Sequence, residues 1–351
     1  MKDIIANMAK RISATACLGL AVAVVLSSGS VAGEKKLVIG MAVREITNDF
    51  NRTIIEGGRK VVEENGGELV VTDGNADIRK HIDNISNLIT KQVDGVIVQL
   101  GEPSQLVSVF EKAKAAGIPV SSTSVGQRTP GCITDVNGDE ELSGMLLGRQ
   151  LLNDLNAKGR VFMISVPGAP VLEKRLRVFR ALLAGYENIW LSDVYPTQHS
   201  VTDTLNVMQN ILTANPNKED IAAVFVTYDL LASGAVQAIK NAGREKDIKV
   251  YSIDGDKIAF QMMFEEDNPF VATVSQDTYG VGVLAAQALM DVIHGKDPET
   301  IPAALYPDDT LLASNTNIKK AVEVARRKWG ENCLEEWEID EAELLDRYGE
   351  K

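Results

Sequence analysis

Short apolar runs alternate with segments of helical period along most of the chain. In the runs nearly every position is apolar, whereas in the segments between them apolar side chains recur on one face. The strand-like runs span residues 37–42, 68–72, 95–99, 118–122, 160–165, 190–195, 222–227, 248–253 and 270–275. The helical segments span residues 50–64, 78–89, 104–116, 142–152, 172–184, 203–214, 230–242, 257–266 and 280–294. Apolar strands separated by helices are typical of a parallel sheet that helices cover on both faces.

The alternation restarts near residue 140, which predicts two similar halves. A chain of 351 residues is long enough for two domains of ordinary size. The predicted fold class is therefore α/β, with two lobes that each contain a doubly wound parallel sheet.

The C-terminal segment departs from this pattern. Residues 318–329 are typical of a basic amphipathic helix, and residues 331–351 are rich in acidic side chains. Apolar residues are interspersed in the acidic part: Leu334, Trp337, Ile339, Leu344, Leu345 and Tyr348. Because these side chains need cover, we expect a final helix pair packed on the surface; the alternative is a tail that binds a partner.

The N-terminus has the layout of a secretory signal peptide. Lys2, Lys10 and Arg11 precede a small and apolar run over residues 12–26, and Ala32 ends a small-x-small cleavage site. The run is shorter than the roughly 20 residues that a membrane-spanning helix needs. We therefore expect residues 1–32 to be removed on export to the periplasm; the alternative is a membrane anchor.

Charge and motifs exclude several classes of protein. The net charge of −13 makes nucleic acid or an anionic membrane a poor partner. The chain has no glycine-rich dinucleotide motif after a strand, no P-loop and no G-x-S-x-G nucleophile elbow. We therefore expect a binding protein rather than an enzyme, and no cofactor.

A metal site is also not expected. The histidines are His81, His199 and His294. None of them has metal-ligand spacing with another. Residues 135–139 imitate the start of a calcium loop, but Glu140 stands where that loop requires glycine.

The cysteines leave one question open. Cys17 lies inside the apolar run of the signal peptide rather than after it, so lipidation is not expected. Cys132 and Cys333 remain in the exported chain, where a disulfide is permitted but not required.

Six segments carry a resemblance to a known family. They are Asn48-Asp-Phe-Asn51, Ala116-Gly-Ile-Pro-Val120, Leu205-Asn-Val-Met-Gln-Asn-Ile-Leu212, Ala223-Val-Phe-Val-Thr-Tyr-Asp229, Ile253-Asp-Gly255 and Ala272-Thr-Val-Ser-Gln276. In this order and spacing, the chain from residue 36 to about 317 resembles the ribose/galactose-type periplasmic binding proteins of sugar ABC transporters.

The resemblance implies two lobes joined by a three-strand hinge. One lobe would comprise residues 36–138 plus 277–308, and the other residues 139–276 plus 309–351. Ligand would bind in the cleft between them, and the rule that open α/β sheets bind ligands at the carboxyl ends of their strands gives the same place.

The resemblance also implies a set of ligand-binding residues. They are Arg44, Asn48, Phe50, Asn51, Gln99, Ser124, Arg175, His199, Tyr228, Asp254 and Gln276. These types suit a sugar, because a hydroxyl both donates and accepts hydrogen bonds and the faces of a sugar ring pack on aromatic rings. Structural alternatives remain: Asn48 could cap a helix, Phe50 could belong to the core and Asp254 could form an Asx turn. Asp229 could equally cap a helix or contact ligand.

Four positions depart from the ribose-type pattern. Ser124 and Val125 replace an Asp-Arg pair, and Glu173 stands where the family has an arginine that Arg175 preserves nearby. Arg44 replaces a small residue. It could recognise a carboxylate or a differently placed hydroxyl of the ligand, or it could pair with Glu173 or Asp254.

The implied function is to bind a small sugar, polyol or sugar derivative and deliver it to an ABC transporter permease, as a monomer. A sensory protein for a chemoreceptor or sensor kinase is the first alternative. A lactose-repressor-type regulator would need a DNA-binding head, but a signal peptide precedes the first strand. A sugar-processing enzyme would need carboxylates such as Asp254, Asp229 and Glu173 for acid-base work.

Overall fold

The computed structural model describes residues 36–348. The predicted signal peptide, residues 1–32, lies outside the described residues. In the part of the chain that is described, no helix is both long and apolar enough to cross a membrane.

The structure alternates strands and helices as the apolar pattern predicts. The strands are β1 (Val38–Val43), β2 (Glu68–Asp73), β3 (Gly95–Gln99), β4 (Val120–Thr123), β5 (Asp135–Val136), β6 (Gly159–Ser165), β7 (Ile189–Pro196), β8 (Ala223–Val226), β9 (Lys249–Asp254), β10 (Phe270–Gln276), β11 (Ala304–Leu305) and β12 (Thr310–Ser314). The helices are α1 (Asp49–Glu64), α2 (Ile78–Thr90), α3 (Pro103–Ala115), α4 (Glu140–Asp154), α5 (Pro170–Leu183), α6 (Val201–Ala214), α7 (Asp229–Asn241), α8 (Lys257–Phe264), α9 (Thr278–Ile293), α10 (Ile318–Trp329), α11 (Cys333–Glu336) and α12 (Glu341–Arg347).

The strands form two sheets of six. The first has the order β11-β5-β4-β3-β1-β2, and the second has the order β12-β10-β9-β8-β6-β7. Every neighbouring pair is parallel except β10 and β12. Central strands such as β3 and β10 are buried along their whole length, because helices cover both faces of each sheet. The predicted α/β class with two parallel sheets is confirmed.

Two helices of the first sheet pack unusually closely. A Cβ atom added to Gly57 of α1 would lie 2.1 Å from the backbone oxygen of Tyr279 in α9, and one added to Gly282 would lie 2.0 Å from the backbone oxygen of Ile54. Only glycine permits this approach. It brings α9, which follows a strand of the second sheet, onto the first sheet.

The chain passes between the sheets three times. The passages are residues 137–139 between β5 and α4, residue 277 between β10 and α9, and residues 306–309 between β11 and β12. Two of these passages are bonded to each other, since the Asp277 backbone N–H donates to the Asp309 carbonyl at 3.1 Å.

The C-terminal segment forms α10, α11 and α12 on the second sheet. All six apolar residues of its acidic part pack in or against the hydrophobic core of that sheet. The expected final helix pair is confirmed.

The two cysteines of the described chain lie in separate parts of the fold. Cys333 lies in the core of the second sheet and Cys132 in a core cluster of the first sheet, and both are free thiols. No disulfide joins them.

Candidate functional site

The expected ligand-binding residues lie mostly where strands end. Gln99, Asp254 and Gln276 are the last residues of β3, β9 and β10, while Arg44 and Ser124 directly follow β1 and β4. Parallel strands place their carboxyl ends at one edge of a sheet. The sheets therefore bring these side chains to two edges, one on each sheet.

Arg175 is the centre of the site on the second sheet. Its side chain is only 2% exposed although it projects from the middle of α5. The guanidinium lies 2.6 Å from Glu140 Oε2 and 2.9 Å from Asp254 Oδ1, and it donates to the Thr227 carbonyl at 2.8 Å. A buried guanidinium is tolerable only with such complete pairing.

Glu140 links this cluster to a passage between the sheets. Gln276 donates from Nε2 to both Glu140 Oε2 and Ser143 Oγ at 3.1 Å. Burial raises the pKa of Glu140 to about 7, although the charge of Arg175 opposes the shift. The Oε1 atom of Gln276 is buried and has no hydrogen-bond partner within residues 36–348.

A second carboxylate, Asp229, supports the turn after β9. It accepts hydrogen bonds from Ser252 Oγ, from Thr273 Oγ1 at 2.9 Å and from the Asp256 backbone N–H at 2.9 Å. Burial raises its pKa to about 6, and the neighbouring charge of Asp254 adds to the shift. Asp229 begins α7, but these bonds go to three other elements, so it ties β9, β10 and the following turn together.

Asp254 itself has a strained backbone. Its φ of 133° is rare for a residue other than glycine, and Gly255 follows with a φ of 68°. The Asp254 carboxylate pairs with Arg175, rather than bonding the backbone that follows it as in an Asx turn. Burial raises the pKa of Asp254, and Arg175 opposes this shift.

The first sheet contributes a chain of amides. Asn51, which is 1% exposed, donates to the Glu45 carbonyl at 2.5 Å and accepts from Gln99 Nε2. The Oε1 atom of Gln99 is buried without a partner in the described part of the chain. Asn48 caps α1 by accepting a hydrogen bond from the Asn51 backbone N–H at 2.8 Å. This is the capping role that the sequence offered as an alternative to ligand contact. Phe50 packs partly against the core of this sheet.

The two edges face each other. Burial lowers the pKa of His199 on the second sheet, and Arg44 on the first sheet is close enough to lower it further. Burial raises the pKa of Tyr228, and the charge of Asp254 and then that of Glu45 on the first sheet add to the shift. His199 Nδ1 and the Tyr228 hydroxyl are hydrogen-bonded at 2.9 Å.

The structure rejects both ion pairs considered for Arg44. Its guanidinium donates to the Ala76 carbonyl at 3.3 Å, and no ion pair of Arg44 occurs among the described residues. Asp254 pairs with Arg175, and Glu173 accepts from the Gly168 backbone N–H at 3.0 Å. Arg44 therefore lies beside the strand ends of the first sheet without a carboxylate in ion-pair contact among the described residues. Ser124 is buried with a φ of 56°, and its N–H donates to Val136 of β5 at 2.9 Å.

Several residues of the site were missed at the sequence level. The sequence pattern marks Glu140 only as a departure from a calcium loop. It gives no signal for Asp256, whose N–H donates to Asp229, or for Lys328 and Trp329, which donate to the Asp254 and Gly255 carbonyls.

The segment that imitates a calcium loop serves the fold instead. Asp135, a member of that segment, accepts hydrogen bonds from Ser122 Oγ at 2.7 Å and the Gly126 N–H at 2.8 Å. Within residues 36–348, no group of His, Cys, Asp and Glu side chains could hold a metal ion.

Known proteins resemble this chain over most of its length. The ribose import binding protein of Bacillus subtilis is 29% identical over 274 residues, which is 78% of this chain and 87% of that protein. The ribose import binding protein of Escherichia coli K12 is 26% identical, covering 85% of this chain and 97% of that protein.

Solved structures share the fold. An ABC transporter solute-binding protein from Agrobacterium vitis with bound allitol has a TM-score of 0.76 and 24% identity, covering 84% of this chain and 99% of that one. A 5-methylthioribose transporter solute-binding protein from Thermotoga lettingae has a TM-score of 0.72 and 25% identity, covering 89% and 97%.

A family comparison agrees with both sets of relatives. Residues 39–297 match the family described as a periplasmic binding protein domain. The match spans more than half of the chain, from the first strand to beyond α9, and includes every expected ligand-binding residue. The chain therefore belongs to the periplasmic binding protein family.

Proposed function

We propose that this protein binds a small polyhydroxylated solute, a sugar, polyol or sugar derivative, between its two sheets and delivers it to an ABC importer. One observation carries the proposal: the strand ends of both sheets each hold a buried amide oxygen, on Gln99 and Gln276, that has no hydrogen-bond partner within residues 36–348. A buried polar atom without a partner is costly. Ligand hydroxyls would supply the missing donors.

Hydrogen-bonding groups and the known relatives support a ligand rich in hydroxyl groups. Asp254, which Arg175 holds in place, offers a carboxylate acceptor on the second sheet, where charge-assisted hydrogen bonds are strong. Relatives named for ribose, and solved structures with bound allitol and 5-methylthioribose, support the same class of ligand. The eleven residues named at the sequence level remain the proposed site.

The two sheets support two lobes that close around the ligand. Residues 36–138 plus 277–308 contain every strand of the first sheet, and residues 139–276 plus 309–351 contain every strand of the second. Three chain passages between the sheets form the proposed hinge. Ligand that contacts both lobes would favour the closed form. The permease would then recognise the surface of this closed form. Family membership and the predicted signal peptide support a periplasmic location.

A thermal-shift screen tests the proposal. The protein without residues 1–32 is melted with pentoses, hexoses, polyols, sugar acids and amino acids. At a thousandfold excess over the dissociation constant, a ligand of the folded state adds about 4 kcal/mol to the free energy of unfolding. We expect a neutral sugar or polyol to raise the melting temperature.

Matched variants place the ligand. Gln99→Leu should lower the ligand-induced gain in unfolding free energy from about 4 to about 3 kcal/mol, as tenfold weaker binding requires. Gln287→Leu removes an exposed amide of α9 whose side chain bonds only Asp291 among the described residues, and it should keep the full gain. A response to sugar acids alone would indicate Arg44 as a carboxylate anchor and contradict a neutral ligand. No response to any sugar, polyol or sugar acid would refute the proposed function.

A further inference from the structure

The last turn of α10 reaches the candidate site. Lys328 Nζ donates to the Asp254 carbonyl at 2.5 Å, and Trp329 Nε1 donates to the Gly255 carbonyl at 3.1 Å. Both side chains are partly buried in these contacts. The helix lies beyond residue 297, where the family match ends. Consecutive residues of this helix thus donate to consecutive carbonyls of the turn that follows β9.

That turn needs external support. Asp254 and Gly255 both have positive φ angles, and a Cβ atom at Gly255 would lie 2.5 Å from Ser275 of β10. A non-glycine residue in such a conformation persists only where the surrounding structure holds it there. The conformation matters because it directs the Asp254 carboxylate towards Arg175.

The turn also concentrates negative charge. Asp229, Asp254 and Asp256 are all buried, and Asp256 Oδ1 has no partner among the described residues. Burial raises the pKa of Asp256, the charge of Asp254 raises it further, and Lys328 opposes both effects. The Lys328 ammonium therefore offsets repulsion between carboxylates that the turn holds close together.

The helix that supplies these groups is firmly docked. Its inner face is buried in the core of the second sheet through Ile318, Ala321, Val322, Val324 and Ala325. On its outer side, Arg327 Nε donates to Asp309 at 2.8 Å, in the passage between β11 and β12. A docked helix holds the ends of Lys328 and Trp329 at fixed positions.

We propose that Lys328 and Trp329 are positioning residues, which hold the turn of residues 254–256 in the conformation that presents the Asp254 carboxylate to the ligand. The C-terminal helix is thereby part of the binding apparatus and not only a cover for the second sheet. This inference rests on the proposed function, because it takes Asp254 as a ligand contact.

Hydrogen exchange of the ligand-free protein tests the positioning itself. The N–H groups of Gly255 and Asp256 are bonded to Thr273 Oγ1 at 3.2 Å and Asp229 Oδ2 at 2.9 Å, so their exchange reports opening of the turn. Lys328→Met and Trp329→Phe should each accelerate this exchange about tenfold, the loss expected for one hydrogen bond. Lys328→Arg, which keeps a charged donor, should restore protection.

Lys320→Met is the matched control. It removes the same kind of ammonium from the same helix, but within residues 36–348 the Lys320 side chain makes only an exposed ion pair with Glu323. Its exchange at residues 254–256 should equal that of the wild type. Unchanged exchange in both Lys328→Met and Trp329→Phe, with the folded fraction unchanged, would overturn the inference.

Ligand affinity then tests the consequence. Lys328→Met should weaken the sugar or polyol found in the screen about tenfold, and should have no further effect in the Asp254→Asn background, since coupled residues are not additive. Equal effects in both backgrounds would refute a role through Asp254. A wild type that binds no sugar or polyol would refute the proposed function instead, while the exchange measurement would still decide whether α10 positions the turn.

Discussion

Arg175 shows how a single buried charge organises the candidate site. Glu140 and Asp254 come from two different elements, at sequence separations of 35 and 79 residues, and meet on one guanidinium. The sequence could predict Asp254 and Gln276, since each ends an apolar strand. It could not reveal Glu140, because burial of a carboxylate depends on a partner that is distant in sequence.

Removal of Arg175 should be strongly destabilising. Arg175→Met keeps most of the side-chain volume but leaves two buried carboxyl groups without a cation, which costs about 3–5 kcal/mol of unfolding free energy. Denaturation in urea measures the loss. Arg177→Met, on the same helix, breaks only the exposed ion pair with Glu141 and should cost no more than about 1 kcal/mol. Equal losses in the two variants would contradict the network described.

The raised carboxyl pKa values predict the direction of the pH dependence. Burial raises the pKa of Glu140 from 4.5 to about 7 and that of Asp229 from 3.8 to about 6. Between the unfolded-state pKa and the raised folded-state pKa of each group, the folded state binds more protons than the unfolded state. The free energy of unfolding of the ligand-free protein should therefore fall as pH rises from about 4 to about 7.

Urea denaturation across that pH range provides the measurement. Glu140→Gln cannot titrate, so its stability should fall less steeply between pH 5 and 7 than that of the wild type. A wild-type stability that rises over the same interval would contradict the assigned shifts.

At the scale of elements, the length of a helix or strand decides whether its sequence pattern predicts it. The long amphipathic segment 318–329 is recovered as α10 with the same limits. By contrast, β5 and β11 have two residues each, too few for a period to emerge, and they pair only because the first sheet positions them. These short strands flank the passages between the sheets, so the hinge is the least predictable part of the fold.

The close contact between α1 and α9 gives a test at this scale. Gly57→Ala would place a methyl group 2.1 Å from the Tyr279 carbonyl oxygen, so the helices must separate, at a cost of about 1–3 kcal/mol. Gly58→Ala is the matched control, since its methyl group would have no neighbour closer than 3.7 Å. It should be neutral or stabilise the helix by up to about 1 kcal/mol. Thermal unfolding that ranks the two variants in the opposite order would contradict this packing.

At the scale of the whole molecule, two sheets with facing carboxyl edges form a single candidate site. Restarted alternation along the sequence is enough to predict two sheets. Which side chains face each other depends on the geometry of the passages between the sheets, which the sequence pattern does not give. For that reason the internal pairs of Arg44 with Glu173 or Asp254 could not be ruled out from the sequence, and the structure shows neither of them. The partner of Asp254 comes from its own sheet, which leaves the cleft itself for a ligand.

A calorimetric titration of variants on both sheets tests ligand binding between the sheets most directly. The wild type, Gln99→Leu on the first sheet and Asp254→Asn on the second are titrated with the neutral sugar or polyol that gives the largest thermal shift. We predict one ligand per chain for the wild type and about tenfold or greater weakening in each variant, the loss of one good hydrogen bond. If only one of the two variants binds the ligand more weakly, or if neither does, a ligand that bridges both sheets is contradicted.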